Sequence, residues 1–403
     1  MGELDAAVRT AIERTQGYFL RRQHADGFWA GELESNASIT GEYLFLLRLL
    51  GRDSCQREQA IAAQLLRWQT DGGWPLFHGG PPELNATIEA AVALQMAGVP
   101  DEHPALAKAV AVARQLGGVE RARVFTRIWL ALLGALPWDT VPAMPPELMF
   151  LPGSFPLNIY RFASWARGTI VPLLIVMDRQ PRYAGPAPAL DALWTDPNRR
   201  KRCLGHRPVA PAWRLANSAL KWLEPLTRWR PTRRRALAAA RRWLLGHQER
   251  DGGWGGIFPA MSNSTLALYL LDGNSPAVES GLAALEGFAI EDEGRFRMQS
   301  CVSPCWDTPW AMLALAESGL PAEHPALRRA ADWLLSQQSD LRSDWSRRAP
   351  SVEPGGWSFE FANANYPDVD DTAVVVMALL RAGASSGPAR RRGLVVCHDD
   401  LTW

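Results

Sequence analysis

A phrase recurs along this chain: a glutamine, an acidic-glycine turn and an aromatic residue. It reads Gln23-His-Ala-Asp-Gly-Phe-Trp29, then Gln69-Thr-Asp-Gly-Gly-Trp74, then Gln248-Glu-Arg-Asp-Gly-Gly-Trp254, and in a stretched form it runs from Gln338 to Gly355-Gly356-Trp357. Each occurrence follows an apolar-periodic segment such as Ala236–Leu245 or Ala326–Leu335. Each but the last leads promptly into another, such as Ala86–Met96 or Ser264–Leu271. Helix, glycine turn, helix, repeated at intervals, specifies an all-α fold built as a helical array or an α/α barrel. Asp-Gly supplies the turn conformation, and the tryptophan can pack across it. The repeats are therefore architectural and carry no chemistry. Strand signals are weak, and Pro137–Pro156 and Asp178–Pro211, rich in proline and arginine, read as long surface loops.

The chemistry concentrates in one run, Asp368-Val369-Asp370-Asp371-Thr372, which follows GGWSFEFANANYP. Three carboxylates in four positions cannot all ionise cheaply in a shielded site, so at least one pKa must rise. The apolar stretch Thr372–Leu380 is helix-compatible, and an Asp at its start can cap free N–H groups. Such clusters serve as helix caps or cation sites. In a greasy cavity the same cluster becomes one protonated acid with one or two ionised anchors.

The 403 residues suffice for two domains, and a net charge of +1 gives a nucleic-acid role no electrostatic support. Five cysteines (Cys55, Cys203, Cys301, Cys305, Cys397) lack metal-ligand pairing, so neither a metal nor another cofactor is expected. No stretch reaches the roughly 18 apolar residues of a membrane span. The N-terminal MGELDAAVRTAIERTQ reads as a charged helix and not as a secretory signal. From Trp213 to Trp229 the sequence WRLANSALKWLEPLTRW leaves little polar face, and Arg228, Arg230, Arg233, Arg234 and Arg235 cluster around its end. That pattern suits insertion into one anionic leaflet; it suits equally a packed helix with a solvated arginine face.

Taken together, the segments resemble the squalene–hopene cyclase family of class II triterpene cyclases. The resemblance rests on the Gln-Trp repeats, SNASITGEYLFLLRLLG (Ser35–Gly51), RVFTRIWLALLG (Arg123–Gly134), PPELMFLP (Pro145–Pro152) and PLNIYRFASWARGTIVPLLIVMDRQP (Pro156–Pro181). It continues with DGGWGGI (Asp251–Ile257), SPCWDT (Ser303–Thr308) and GGWSFEFANANYPDVDDTAVVV (Gly355–Val376). The resemblance implies α/α barrels, one complete and one partial. The divisions expected are 1–36 as an N-terminal segment of the catalytic barrel, 37–301 as an inserted barrel, 302–380 as the part with the acid motif, and 381–403 as a divergent tail. It implies a protonation of a terminal alkene of squalene, or a similar polyprenoid, followed by polycyclisation to hopene or hopanol, at the cytoplasmic face of the cell membrane. A class II diterpene cyclase shares the acid motif, but SPCWDT and SWARGT argue against it.

By the same resemblance Asp370 is the proton donor, and Asp368 and Asp371 orient and polarise it. Trp165, Trp306 and Phe359 offer π faces to cationic carbons, and Ile257 borders the cavity. Glu42 and Glu89 match acidic positions on cavity-lining helices, where a water network or inter-helix pairing is implied. The Trp213–Trp229 stretch matches the membrane-binding region. The chain departs from the family pattern at Phe258, Ala260 and Ala362, and similarity is expected to end near Leu380, before a second half that relatives carry. A C-terminally shortened chain would leave the acid open to water and apolar helix faces open to self-association as a homodimer. The alternative function is then an inactive, membrane-associated helical fragment.

Overall fold

The computed structural model describes residues 2–52, 54–196, 211–227, 230–347 and 349–384. Among these, fourteen α-helices and one two-stranded antiparallel hairpin, β1 (Ala289–Asp292) with β2 (Arg295–Met298), account for the regular structure. The chain divides into two compact units. Unit 1 comprises 1–33, 249–256 and 301–403; unit 2 comprises 34–248 and 257–300.

Unit 2 is layered by the apolar content of its helices. α2 (Ala37–Leu50), α4 (Leu84–Met96), α7 (Ser164–Arg179) and α10 (Phe258–Asp272) are buried along long continuous runs, as in Glu42–Leu47 and Asn85–Leu94. They pack on one another, α2 on α4 and α10, and α7 on α10. A helix hydrophobic all round belongs in an interior. By contrast, α5 (Pro104–Gln115), α9 (Pro231–Gly246) and α11 (Pro276–Glu286) bury only a stripe. In α5 the stripe is Ala105, Leu106, Ala109 and Ala113. These amphipathic helices form the outer layer, α5 against α4, α9 against α7, and α11 against α10.

Unit 1 holds α1 (Gly2–Arg22), α12 (Pro304–Glu317), α13 (Pro325–Ser336) and α14 (Val369–Arg381). Its core gathers Trp29, Cys305, Met312, Leu315, Leu327, Leu334, Trp357, Val375 and Leu379. The turn 249–256 belongs here, although the sequence boundary at 301 put it in the inserted unit. Its contacts decide the matter. Glu249 Oε1 accepts from both the backbone N–H and Nδ2 of Asn365 (3.2 and 2.7 Å), and Arg250 donates to Gln337 Oε1 (3.2 Å).

The repeated phrase is a hydrogen-bonded clasp. The glutamine amide donates to a carbonyl of its own turn and to the second residue of a helix that starts with proline: Gln23 to Gly27 (2.7 Å) and Ala326 (2.8 Å), Gln69 to Gly72 (3.0 Å) and Ala105 (2.8 Å). Gln248 likewise reaches Ala277 (2.9 Å), and Gln338 reaches Gly355 (2.6 Å). The indole N–H donates back to the preceding helix, Trp29 to Phe19 O, Trp74 to Leu65 O and Trp357 to Leu334 O, at 2.7, 2.8 and 2.6 Å. The same tryptophans donate their backbone N–H to a threonine hydroxyl near the start of another helix: Thr308 on α12, Thr87 on α4 and Thr372 on α14. The Trp29 and Trp74 turns thus each tie three helices, and the Trp357 turn ties α13 to α14, with donors that would otherwise be buried unpaired. Only glycine fits the bend at Gly27. Its φ is +109°, and a Cβ would lie 2.5 Å from the Arg329 carbonyl oxygen.

Trp357 is fully buried, so Trp357→Phe removes the indole donor, strands the Leu334 carbonyl and opens a void. We expect about 2–4 kcal/mol of lost stability by denaturant titration. A change under about 0.5 kcal/mol would show that the indole bond does not hold the turn.

Candidate active site

The acid motif is held by the fourth of these clasps. Trp357 donates its backbone N–H to Thr372 Oγ1 (3.0 Å) and accepts the Asp368 N–H (3.0 Å). Thr372 Oγ1 in turn donates to the Asp368 carbonyl (2.5 Å). The start of α14 is therefore fixed to the Gly355–Trp357 turn at several points before any acid chemistry is considered.

Asp368 is the N-cap of α14, in extended backbone conformation, and its Oδ1 accepts the Asp371 N–H at 2.9 Å. Asp371 is the third residue of the helix, the position that turns back toward the cap. Only 2% of its surface is exposed. Burial first, then the hydrogen bond and charge of Asp368, then the charges of Glu360 and Asp370, push its carboxyl up to about 9. Asp370 is exposed. Of the two helical carboxyls Asp371 is the buried one, and Asp370, the proton donor by resemblance, is the exposed one. Successive helical residues project roughly 100° apart, so when the third residue turns inward the second points out.

Trp306 and Phe359 come together in the same unit. Their ring centroids are 6.4 Å apart, Trp306 also meets Trp310 edge-on at 5.8 Å, and the Cys305 N–H donates to the Phe359 carbonyl. Trp165 and Ile257 lie in unit 2. Trp165 opens α7 with 65% of its surface exposed, and Ile257 is the half-buried N-cap residue of α10.

Glu42 and Glu89, on α2 and α4, are both buried. Burial is the main force raising each carboxyl, and the Glu89 charge raises Glu42 further. Arg123 Nη2 approaches Glu89 Oε2 at 3.4 Å, and the Thr126 hydroxyl donates to Glu89 Oε1. Of the alternatives left open by the sequence, pairing between helices is present.

Glu360 was not singled out by the sequence. It is buried, 6% exposed, and burial pushes its carboxyl up to about 8 although Asn363 Nδ2 donates to it at 3.0 Å. The available signal was an acid between two phenylalanines eight residues before Asp368. Arg233 shows the opposite error. Read as part of a surface basic cluster, it is buried and paired with Glu147 (3.0 Å) and Asp178 (3.4 Å). Among the described residues no group of three or more His, Cys, Asp or Glu side chains could hold a metal ion.

Residues 12–294 match the squalene-hopene cyclase N-terminal domain and residues 302–397 the squalene-hopene cyclase C-terminal domain. The chain belongs to the squalene-hopene cyclase family. Its all-α architecture is of the family's terpene-cyclase type. It is 44% identical over 384 residues to the squalene–hopene cyclase of Alicyclobacillus acidocaldarius, a match covering 94% of this chain and 60% of that protein. It is 38% identical to the squalene–hopene cyclase of Zymomonas mobilis (94% and 59% covered) and 39% identical to the dammaradiene synthase of Dryopteris crassirhizoma (92% and 55% covered). The chain thus spans about 60% of the length of the curated bacterial cyclases it matches. The match to the C-terminal domain runs to residue 397, past the Leu380 at which similarity was expected to end; residues 385–403 lie outside the described structure.

A carboxyl pushed up to about 9 on folding makes folded Asp371 hold a proton that the unfolded chain has released. Stability therefore falls as pH rises from about 4 toward about 9, by up to about 1.4 kcal/mol per pH unit. Asp371→Asn keeps the shape of the protonated form and cannot ionise. We expect its melting temperature to exceed wild type by a margin that widens with pH over that window. A margin independent of pH would show that Asp371 is already ionised in the fold.

Proposed function

We propose that this chain carries the proton-donating part of a class II triterpene cyclase acting on squalene or a similar polyprenoid. The observation that carries the reading is the geometry at the start of α14. A Gln-Trp clasp fixes the helix end, Asp368 and Asp371 are consumed in capping and burial, and Asp370 is left projecting from the first turn. An alkene is a very weak base, so it needs a strong and well-oriented acid. In the proposed step the Asp370 carboxyl gives its proton to one carbon of the terminal double bond. The π pair forms the new C–H bond, and the other carbon becomes cationic. Successive alkenes attack the cation and close rings, and loss of a proton or capture of water ends the sequence as hopene or hopanol. Trp306 and Phe359 stabilise the early cations through their π faces, each by about 1–2 kcal/mol when desolvated. Trp165 and Ile257 are assigned to the same pathway, and the Glu42–Glu89 pair to a polar network.

Incubation of the purified 403-residue protein with squalene in detergent, read by mass spectrometry, tests this. We expect cyclic C30 products, reduced about 10²–10⁴-fold in Asp370→Asn, the range of a lost general acid. No product from folded protein would sink the reading in favour of a non-catalytic family fragment.

Membrane attachment through Trp213–Trp229, at the cytoplasmic face and without spanning, belongs to the same proposal. α8 (Pro211–Thr227) exposes Leu215 at 73% and Trp222 at 72%, with Leu220 and Leu223 beside them. Arg230, Arg234 and Arg235 are exposed beyond it, while Arg228 and Trp229 lie outside the described residues. No described helix is long and apolar enough to cross a membrane. We expect Leu215→Ser with Trp222→Ser to weaken partition onto vesicles containing anionic lipid about ten- to a hundredfold or more. Unchanged partition would remove α8 from the attachment surface.

A further inference from the structure

Three of the four clasp glutamines reach the same kind of target. Gln69, Gln248 and Gln23 donate to the carbonyls of Ala105, Ala277 and Ala326, at 2.8, 2.9 and 2.8 Å. Each alanine follows the proline that opens α5, α11 or α13. Each of those helices packs on the helix that its clasp leads into, α5 on α4, α11 on α10 and α13 on α12. At two of the clasps the path to the alanine is also the same. Thr87 and Thr308, which hold the tryptophan backbones, are followed eleven residues later by Gly98 and Gly319, with φ of +84° and +97°. Such a glycine ends a helix in a left-handed turn, and the proline comes six residues after it. The fourth clasp follows that path through the described residues. Thr372 is followed eleven residues later by Gly383, with φ of +71°, and five residues beyond stands Pro388-Ala389.

The three outer helices share a burial pattern counted from the proline. The third residue is aliphatic and buried (Leu106, Val278, Leu327), and the next two are exposed. The sixth is small and buried (Ala109, Gly281, Ala330), so that two helices can approach closely, and the tenth is again buried (Ala113, Leu285, Leu334). Pro388–Cys397 has Ala389 second, Arg391 and Arg392 at the exposed pair, Gly393 sixth and Cys397 tenth. Arg390 departs from the pattern at the third place, where its stem can pack while its charge reaches water. Gly387 takes the N-cap place of His103, Ser275 and His324, which glycine also fills. The match to the C-terminal domain of the family likewise extends to residue 397.

We propose that the Gln338–Trp357 turn and α14 form a docking site for the chain's own Pro388–Cys397, seated as a fourth proline-capped outer helix with its Ala389 carbonyl on the Gln338 amide. Gln338 bonds its own turn at Gly355 (2.6 Å), as Gln23 and Gln69 bond Gly27 and Gly72. A side-chain amide has two N–H donors, and the other clasps serve a turn carbonyl and a helix carbonyl together. Connectivity selects the occupant. Residues 385–403 continue directly from the last described residue after α14, and a link as short as those before α5 and α13 brings Pro388 to the turn. Docking there bears on the acid motif, because the same turn accepts the Asp368 N–H and holds Thr372. The segment after α14 thereby steadies the helix end that presents Asp370.

Hydrogen exchange of the full 403-residue chain, read by mass spectrometry, tests this without substrate and independently of the cyclase reading. The amides of residues 392–397 should exchange at least about tenfold more slowly than in an isolated peptide of that sequence. Gln338→Ala should speed their exchange about three- to tenfold, the size of one net hydrogen bond. Gly393→Phe is too large for the sixth position and should speed exchange across Gly355–Thr372 by a similar factor. Gly393→Ala places there the residue that α5 and α13 carry and should leave that segment unchanged. If Gln338→Ala does not fold, the two Gly393 variants decide. Exchange of 392–397 at the peptide's rate overturns the proposal, and so does a Gly355–Thr372 segment that responds alike to both Gly393 variants. Protection that fades on dilution would place a second copy's segment on the site and overturn the intrachain assignment.

Discussion

The bond on which the structure depends is the one from a buried indole N–H to the last turn of the preceding helix. A tryptophan supplies a large apolar body and a single donor, and here both are spent at the same place, the exit from a helix into a glycine turn. Trp29, Trp74 and Trp357 each make that bond, and each passes its backbone N–H to a threonine near the start of another helix. The glutamine closes the third side by reaching the start of a proline-capped helix, where carbonyl lone pairs remain available. At the Trp29 and Trp74 turns three helices are then located by one turn. That economy explains why the phrase can be reused. It also explains why the acid motif, hung on the Trp357 turn, is presented from a rigid end.

Helix geometry divides the labour among the three aspartates. A cap position and the third helical residue face each other across the first turn, so Asp368 and Asp371 are drawn together, and Asp370 is rotated away from both. The helix terminus favours negative charge at the cap, while desolvation opposes it at Asp371. The result sets a capped, buried pair apart from the exposed Asp370.

The parts legible in the sequence are those set by short-range chemistry. The Gln-Trp turns, the helical class, the cap at Asp368 and the closeness of Trp306 to Phe359 follow from residues within a few positions or from segments of family character. What the sequence did not disclose depends on which face each residue turns to the interior. Arg233 reads as one arginine among several until Glu147 and Asp178 are brought beneath it. Glu360 reads as a solvated charge until Gly256 closes over it. That Asp371 and not Asp370 turns inward is likewise undisclosed, because local pattern names the motif but not the inward face. The turn at 249–256 belongs with unit 1 through Glu249 and Asn365, a pairing across more than a hundred residues that no local signal reports.

Two pairs of buried carboxyls in this chain show what separates a structural pair from an acidic one. Glu42 and Glu89 are raised by burial, yet Arg123 and hydroxyl donors pull back against the shift. Such a pair can share charge with a cation and mainly joins helices. Around Asp371 the balance is otherwise. Beyond burial, the groups acting on it, Asp368, Glu360 and Asp370, all push in the same direction. Glu360 likewise meets Asp368 and Glu249, both negative. An uncompensated cluster lowers its energy by keeping protons, which is the direction in which both Asp371 and Glu360 are pushed. The same lack of compensation costs stability, which is why the cluster needs the Trp357 turn to hold it together.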